Sequence, residues 1–384
     1  MIKRSLIVYT DINFSFGNLN ITKKGPSYKL LSYLAIPILF INCLFMTPST
    51  ALSETGEEKP NSNIAQFINE LGTYIINEVS NSSENITVSP FSIGSALAMT
   101  RAGARGLTLN EFNSSLNLTH VSDEELATGI AVISKSLEEA SESSLQVERF
   151  SNEKPSKTFE WRLANRLFGE TNYVFRESFL ELMRSGYSSP LEKLDFKSNP
   201  QHAREHINKW VENLTEKRIV DLLPDNSITS QTNLTLVNAL YLKAAWLNKF
   251  EKHLTSSEPF YLKNGESITV PTMALRSKLK YYKEKDRIAV TLPYSTKDLT
   301  FTVIIPAKGE DTQTVLKDLN RGLINQIDSA QKVDIRLSLP KFKLSSPSIS
   351  LREKLVKKGI KSAFDIPSRT ADFSGIGPRL PDDY

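Results

Sequence analysis

Thiol chemistry is nearly absent from this chain: Cys43 is the single cysteine in 384 residues, and it lies in a hydrophobic run close to the N-terminus. No intramolecular disulfide can form, and past that run there is no thiol for a metal site or a nucleophile. Histidine is scarce too, with four in the chain. No G-x-S-x-G elbow, phosphate loop or dinucleotide fingerprint occurs, so nothing calls for a cofactor or a resident metal. Proline- or glycine-rich linkers are missing from the interior, which favours one large domain. Charge of one sign is not concentrated anywhere: the net charge of +4 comes from basic residues interleaved with acids, a solvated surface and not a nucleic-acid groove.

What is present begins with an address. Lys23, Lys24 and Lys29 precede an uncharged run from Leu30 to Met46, followed by small residues at Ala51 and Ser53 that suit cleavage before Glu54. Residues 1–53 are read as a signal sequence with a long basic leader, and 54–384 as the mature domain. The chain is therefore expected to be secreted, with membrane contact only if the run is retained as an anchor. The sequons at Asn81, Asn85, Asn113, Asn117 and Asn213 agree with an extracellular glycoprotein. Asn233 also fits the pattern but opens a buried strand and is expected to stay bare.

Ile64, Phe67, Ile68, Leu71, Ile75 and Val79 recur at helical spacing, with Asn61 or Ser62 as cap. Thr87 to Ser89 reads as a short strand ended by Pro90, and Ser92 to Ala102 as a largely buried helix. Thr108-x-x-Glu111 has capping-box spacing. Ser122 to Glu125 opens another helix on acids that suit its dipole, fading into a loop from Glu138 to Lys157. Phe159 to Phe168 alternates Trp161, Leu163 and Leu167 with polar residues, as a half-buried strand does. Thr232 to Trp246 is nearly unbroken apolar sequence, as in a strand covered on both faces. Strands at 258–262, 267–273, 278–282, 288–292, 299–305 and 333–339 follow, then a helix from Ser350 stopped by Gly359. Helices come early and strands late, which indicates an α+β fold.

The segments Asn85-Ile86-Thr87-Val88-Ser89-Pro90-Phe91-Ser92-Ile93, Ala164-Asn165-Arg166-Leu167-Phe168, Ile207-Asn208-Lys209-Trp210-Val211 and Leu236-Val237-Asn238-Ala239-Leu240-Tyr241-Leu242-Lys243 with Trp246 resemble collinear stretches of the serpins. So do Leu339-Pro340-Lys341-Phe342 and the closing box Ala371-Asp372-Phe373-Ser374-Gly375-Ile376. Departures are mild: Ala244 replaces a usual glycine, and Met273 is single where two are common.

The resemblance implies a serpin-like α+β domain of about nine helices and three β-sheets, non-enzymatic, with a serine protease as partner. It places Ser89, Ser92 and Asn238 in the shutter where the main sheet opens, and Trp246 at the breach where an inserted loop enters. It also implies that the hinge, the reactive loop and the last strands are lacking before Tyr384, so that the sequence as written is expected to be non-inhibitory. A missing strand would lie between the strand of Asn238 and that of Val333 to Leu339, leaving edges open to self-association. Asn238, without the histidine that would face it, would be buried and unpaired, at a cost of about 1–3 kcal/mol. One alternative is a non-inhibitory binding or chaperone-like serpin. A remote one is a zinc peptidase built on His202-x-x-Glu205-His206, whose two histidines lie one helical turn apart.

Overall fold

The computed structural model describes residues 62–80, 85–146, 156–262, 266–296, 299–307, 310, 312–344, 349–365 and 370–378. It adds the backbone of three short strands, β1 (Val8–Thr10), β2 (Gly17–Lys23) and β3 (Leu39–Ile41). The nine described α-helices are α1 (Ser62–Val79), α2 (Pro90–Gly103), α3 (Gly106–Ser115), α4 (Asp123–Ser143), α5 (Glu177–Tyr187), α6 (Pro200–Leu214), α7 (Thr312–Asp318), α8 (Arg321–Asp328) and α9 (Arg352–Lys358). Between them run β4 (Leu145–Gln146), β5 (Ser156–Lys157), β6 (Phe159–Glu170), β7 (Leu191–Leu194), β8 (Leu234–Ala244), β9 (Ser256–Tyr261), β10 (Ser267–Lys283), β11 (Arg287–Pro293), β12 (Thr300–Pro306) and β13 (Lys332–Pro340).

The apolar periodicities of the sequence become the core. Ile64, Phe67, Ile68, Leu71 and Ile75 of α1 are all at most 3% exposed, each adding roughly 1.5–3 kcal/mol of burial. Pro90 takes the first position of α2, where its missing amide costs nothing, and Ser89 Oγ accepts from Ser92 N at 3.2 Å as the cap. Residues 87–88 are irregular, not a strand, because the chain is already turning into this cap. Gly359, at φ +121°, ends α9 as expected.

The described strands form sheets of four, seven and two strands. In the four-stranded sheet, β8 pairs antiparallel with β6 along eleven register positions, β7 adds parallel to β6, and β1 lies parallel to β8 with Val8 opposite Asn238. This sheet separates two cores. One lies against α2, α4 and α5 and includes Trp161, Leu167, Leu240 and Leu242. The other lies beneath α6 and includes Phe168, Ile207, Val211, Val237 and Ala239.

The seven-stranded sheet corrects one expectation. The strand holding Val333 to Leu339 does not flank the gap beside Asn238; as β13 it pairs with β10, Leu337 opposite Leu275 and Leu339 opposite Met273. Both of its edges are already paired, with β10 along nine register positions and with β2 on the other side, so it has no edge left to face Asn238. On the side of β8 where the resemblance calls for the missing strand, the backbone at 238–240 is paired with β1. The expected strands at 267–273 and 278–282 are one continuous strand, β10, and α4 runs to Ser143, beyond the fade expected at Glu138.

Candidate functional site

Of the residues singled out as a shutter, Asn238 lies in the middle of the β6–β8 ladder, while Ser89 and Ser92 are at the start of α2, a helix that packs against β8. Asn238, 1% exposed, sits directly opposite Asn165 and donates its Nδ2 to Asn165 Oδ1 at 2.5 Å. Asn165 Nδ2 in turn donates to the Tyr187 carbonyl at 3.4 Å, tying the ladder to the end of α5. Asn238 is thus half paired, not unpaired as expected: its Oδ1 and the Oγ of fully buried Ser92 have no hydrogen-bond partner among the described residues. Burial also pushes the Tyr187 hydroxyl well above the usual tyrosine range. A buried carbonyl oxygen and hydroxyl left open in a packed interior are costly by about 1–3 kcal/mol each. They mark this place as one where a further donor would be stabilising.

Asn165 escaped the sequence reading, although a signal was there. The inward series of β6 is Trp161, Leu163, 165 and Leu167, and an asparagine in that series must face a polar partner in the core.

Trp246 stands just past the end of β8, where the four-stranded sheet meets the larger one. It pairs with Tyr294 through an isolated bridge and stacks on it, ring centroids 4.6 Å apart and planes 8° from parallel. Phe301 and Phe250 approach edge-on at 5.6 and 6.1 Å. The aromatic cluster is a rigid corner between the sheets.

The box Ala371 to Gly375 is a clasp. Gly375 N donates to Gly103 O, and Arg105 N to Asp372 O, joining it to the turn between α2 and α3. Asp372 N donates to Thr108 Oγ1 at 2.9 Å, while Asp372 Oδ1 accepts from Ser374 N. Arg176 Nε reaches Ser374 O at 2.5 Å, linking the turn before α5. Phe373 packs edge-on to Phe112 at 6.5 Å. Thr108 and Glu111, expected as a capping box, serve this clasp instead. Thr108 Oγ1 lies 3.0 Å from Ser362 Oγ, and Glu111 Oε2 accepts from Lys361 N, Ser362 N and Ser362 Oγ.

His202, Glu205 and His206 lie together on the exposed face of α6, while Ala203, Ile207 and Val211 point into the core. His206 Nε2 is 2.6 Å from Glu192 Oε1 on β7, and Gln201 Nε2 donates to Glu205 Oε1; among the described residues no group of three His, Cys, Asp or Glu side chains is placed to hold a metal ion. Among the sequons, Asn85, Asn117 and Asn213 are exposed and Asn113 is half-buried with its Oδ1 accepting from Arg101 Nε. Asn233 is 5% exposed. Asn81, and all of 1–53 but the three short strands, lie outside the described residues.

With this geometry in place, comparison with known proteins assigns the class. The chain matches the Serpin (serine protease inhibitor) family over residues 66–381, and it belongs to that family. It is 34% identical over 305 residues to the leukocyte elastase inhibitor of Bos taurus, covering 77% of this chain and 75% of that one. Among solved structures it resembles cleaved Serpin 42Da, with 28% identity, a TM-score of 0.71, and coverage of 83% of this chain and 81% of that one. It also resembles reactive-loop-cleaved human thyroxine binding globulin, with 26% identity, a TM-score of 0.70, and coverage of 82% of this chain and 88% of that one.

Proposed function

We propose that this chain is the sheet-bearing body of a secreted serpin whose activity is inhibition of a serine protease, with no catalytic turnover of its own. Family membership supports the inhibitor reading, and the observation that carries the mechanical part is the open Asn238 Oδ1 in the centre of β8. By the resemblance, a protease cuts an exposed loop, and that loop enters the sheet beside β8 while the acyl-enzyme persists. An entering strand bearing a donor side chain would complete the Asn165–Asn238 pair. The residues from Met1 to Tyr384 include no stretch resembling the small-residue hinge or the bait, so this stretch by itself is read as non-inhibitory.

The 384-residue chain incubated with trypsin, chymotrypsin and elastase should give no SDS-stable complex; a complex would overturn the non-inhibitory part. Reading the transcript past the Tyr384 codon tests the rest. A chain extended by an encoded hinge and bait should trap a serine protease, and its failure to do so would overturn the inhibitor reading in favour of a binding serpin. The likeness to thyroxine binding globulin favours that second reading.

Secretion rests on the hydrophobic run and the sequons. N-terminal sequencing of protein from culture medium should begin at Glu54, and deglycosylation should lower its mass. Removing residues 1–53 would also remove β1, β2 and β3 from the edges of β8, β13 and β12. Bare edges of this kind recruit other strands, so residues 54–384 should self-associate more than the uncleaved chain in sedimentation. Equal behaviour of the two forms would reject that.

A further inference from the structure

We propose that α6 is fastened to β6 and β7 of the four-stranded sheet by a proton-dependent latch centred on Glu192, tightened when His206 is protonated. Glu192, on β7, uses both carboxylate oxygens: Oε2 accepts from Arg166 Nη1 at 2.6 Å, and Oε1 lies 2.6 Å from His206 Nε2. The Arg166 guanidinium, from β6, then stacks 4.9 Å from the centroid of the Trp210 ring, so the chain of contacts that leaves α6 at His206 returns to it at Trp210. Phe168 lies beneath, edge-on to the His206 ring at 6.4 Å and to Trp210 at 5.5 Å. Among the described residues, α6 has one further polar tie to the sheet, from Arg162 Nη1 to Leu214 O at 3.5 Å, again on β6.

Histidine is the side chain whose charge turns over between about pH 5 and 8. The other charged groups around His206 are engaged elsewhere or exposed. On α6, Glu205 accepts from Gln201, Lys209 pairs with Glu212, Arg204 pairs with Asp225, and His202 is exposed. Before α6, Asp195 holds Ser198 N; on β7, Lys193 donates to Thr171 O; on β6, Arg166 shares Glu192. Glu192 is therefore the carboxylate that meets the imidazole. A neutral ring can donate one hydrogen bond to it, and a protonated ring adds charge attraction. Arg166 partly neutralises the same carboxylate and so limits the gain. The side chains of His206, Glu192 and Arg166 are 43%, 29% and 32% exposed, so solvent screens the latch without removing it.

Hydrogen exchange of the α6 amides in the full chain, corrected for the intrinsic rate and referenced to α5, tests this without a protease and so independently of the inhibitor reading. Protection of α6 should rise about two- to fivefold from pH 8 to pH 5.5. His206→Gln should keep the protection seen at pH 8 and lose the rise, His202→Gln should keep both, and Arg166→Gln should enlarge the rise. Glu192→Gln gives a second route to the same loss should His206→Gln fold poorly. An unchanged α6 protection between the two pH values, or a rise that survives both His206→Gln and Glu192→Gln, overturns the proposal.

Discussion

Arg105 and Gly375 approach so closely that a Cβ on residue 375 would lie 2.5 Å from Arg105 Cζ. The guanidinium cannot easily retreat, because its Nη1 donates to Ala102 O at 2.9 Å and Ala104 O at 2.6 Å. A side chain at residue 375 would therefore have to displace the Arg105 guanidinium from its two bonds to the α2–α3 turn. Gly375→Ala should destabilise the chain by about 1–3 kcal/mol, the usual cost of overpacking. In an Arg105→Ala background the same change should cost much less, and urea unfolding of the four proteins reads the difference. Additive losses would show that the two residues do not oppose each other.

The Asn165–Asn238 bond makes the two partners unequal. Asn165→Leu removes the acceptor, leaving the whole Asn238 amide buried and unpaired, and should cost about 1–3 kcal/mol. Replacing both by leucine removes the buried polar atoms together and should recover part of that loss. Denaturant midpoints of the single and double variants decide it; a double variant weaker than the sum of its parts would count against the pairing.

Thr108-x-x-Glu111 and Ser122-x-x-Glu125 carry the same spacing, yet only the second is a helix cap. Ser122 Oγ accepts from Glu125 N at 3.0 Å, and Glu125 Oε2 accepts from Ser122 N at 2.7 Å. Ser122→Ala should cost about 1 kcal/mol, the loss of an ordinary cap. Thr108→Val keeps shape but removes the hydroxyl that meets Ser362 and Asp372, and should cost about 1–3 kcal/mol. It should also raise the exchange rate of the Asp372 amide, which Ser122→Ala leaves alone. Matching exchange patterns in the two variants would remove the distinction.

That pair shows where the sequence was legible. Patterns resting on neighbours within one element, such as the α1 stripe, Pro90 with Ser89, and Gly359 at the end of α9, appear in the structure as the spacing predicts. Features set by distant partners were less so. Thr108 finds Ser362 across 254 positions of chain, and no local spacing reports that. The alternation of β13 identified a strand but not its neighbour, because burial on one face is satisfied equally by either sheet. Of the candidate shutter, Ser89, Ser92 and Asn238 came from resemblance, and Asn165, the residue that links Asn238 to α5, was hidden in a series otherwise apolar.

Glu160 and Lys243 face each other across β6 and β8, with Lys243 Nζ donating to Glu160 Oε1 at 2.6 Å and Arg162 Nη2 lying 3.2 Å from Oε2. Burial alone would raise the Glu160 pKa, but the bond from Lys243 and the charges of Lys243 and Arg162 outweigh it, so the carboxyl is held below its ordinary value. The same bond, with the carboxylate charge, raises Lys243 against the opposing effect of burial. A depressed carboxyl contributes stability above its unfolded pKa of about 4.3, and that contribution is lost as pH falls through the lower folded value. A raised lysine contributes below about 10.4 and loses it as pH rises through the higher folded value. Glu160→Gln should therefore lower stability between those limits, by only ~0.5 kcal/mol because Lys243 is largely exposed. Its stability-against-pH curve should converge on that of the parent at both the acid and the alkaline end. Urea titrations from pH 3 to 11 measure this, and a constant offset across the whole range would show that the variant acts through packing instead of charge.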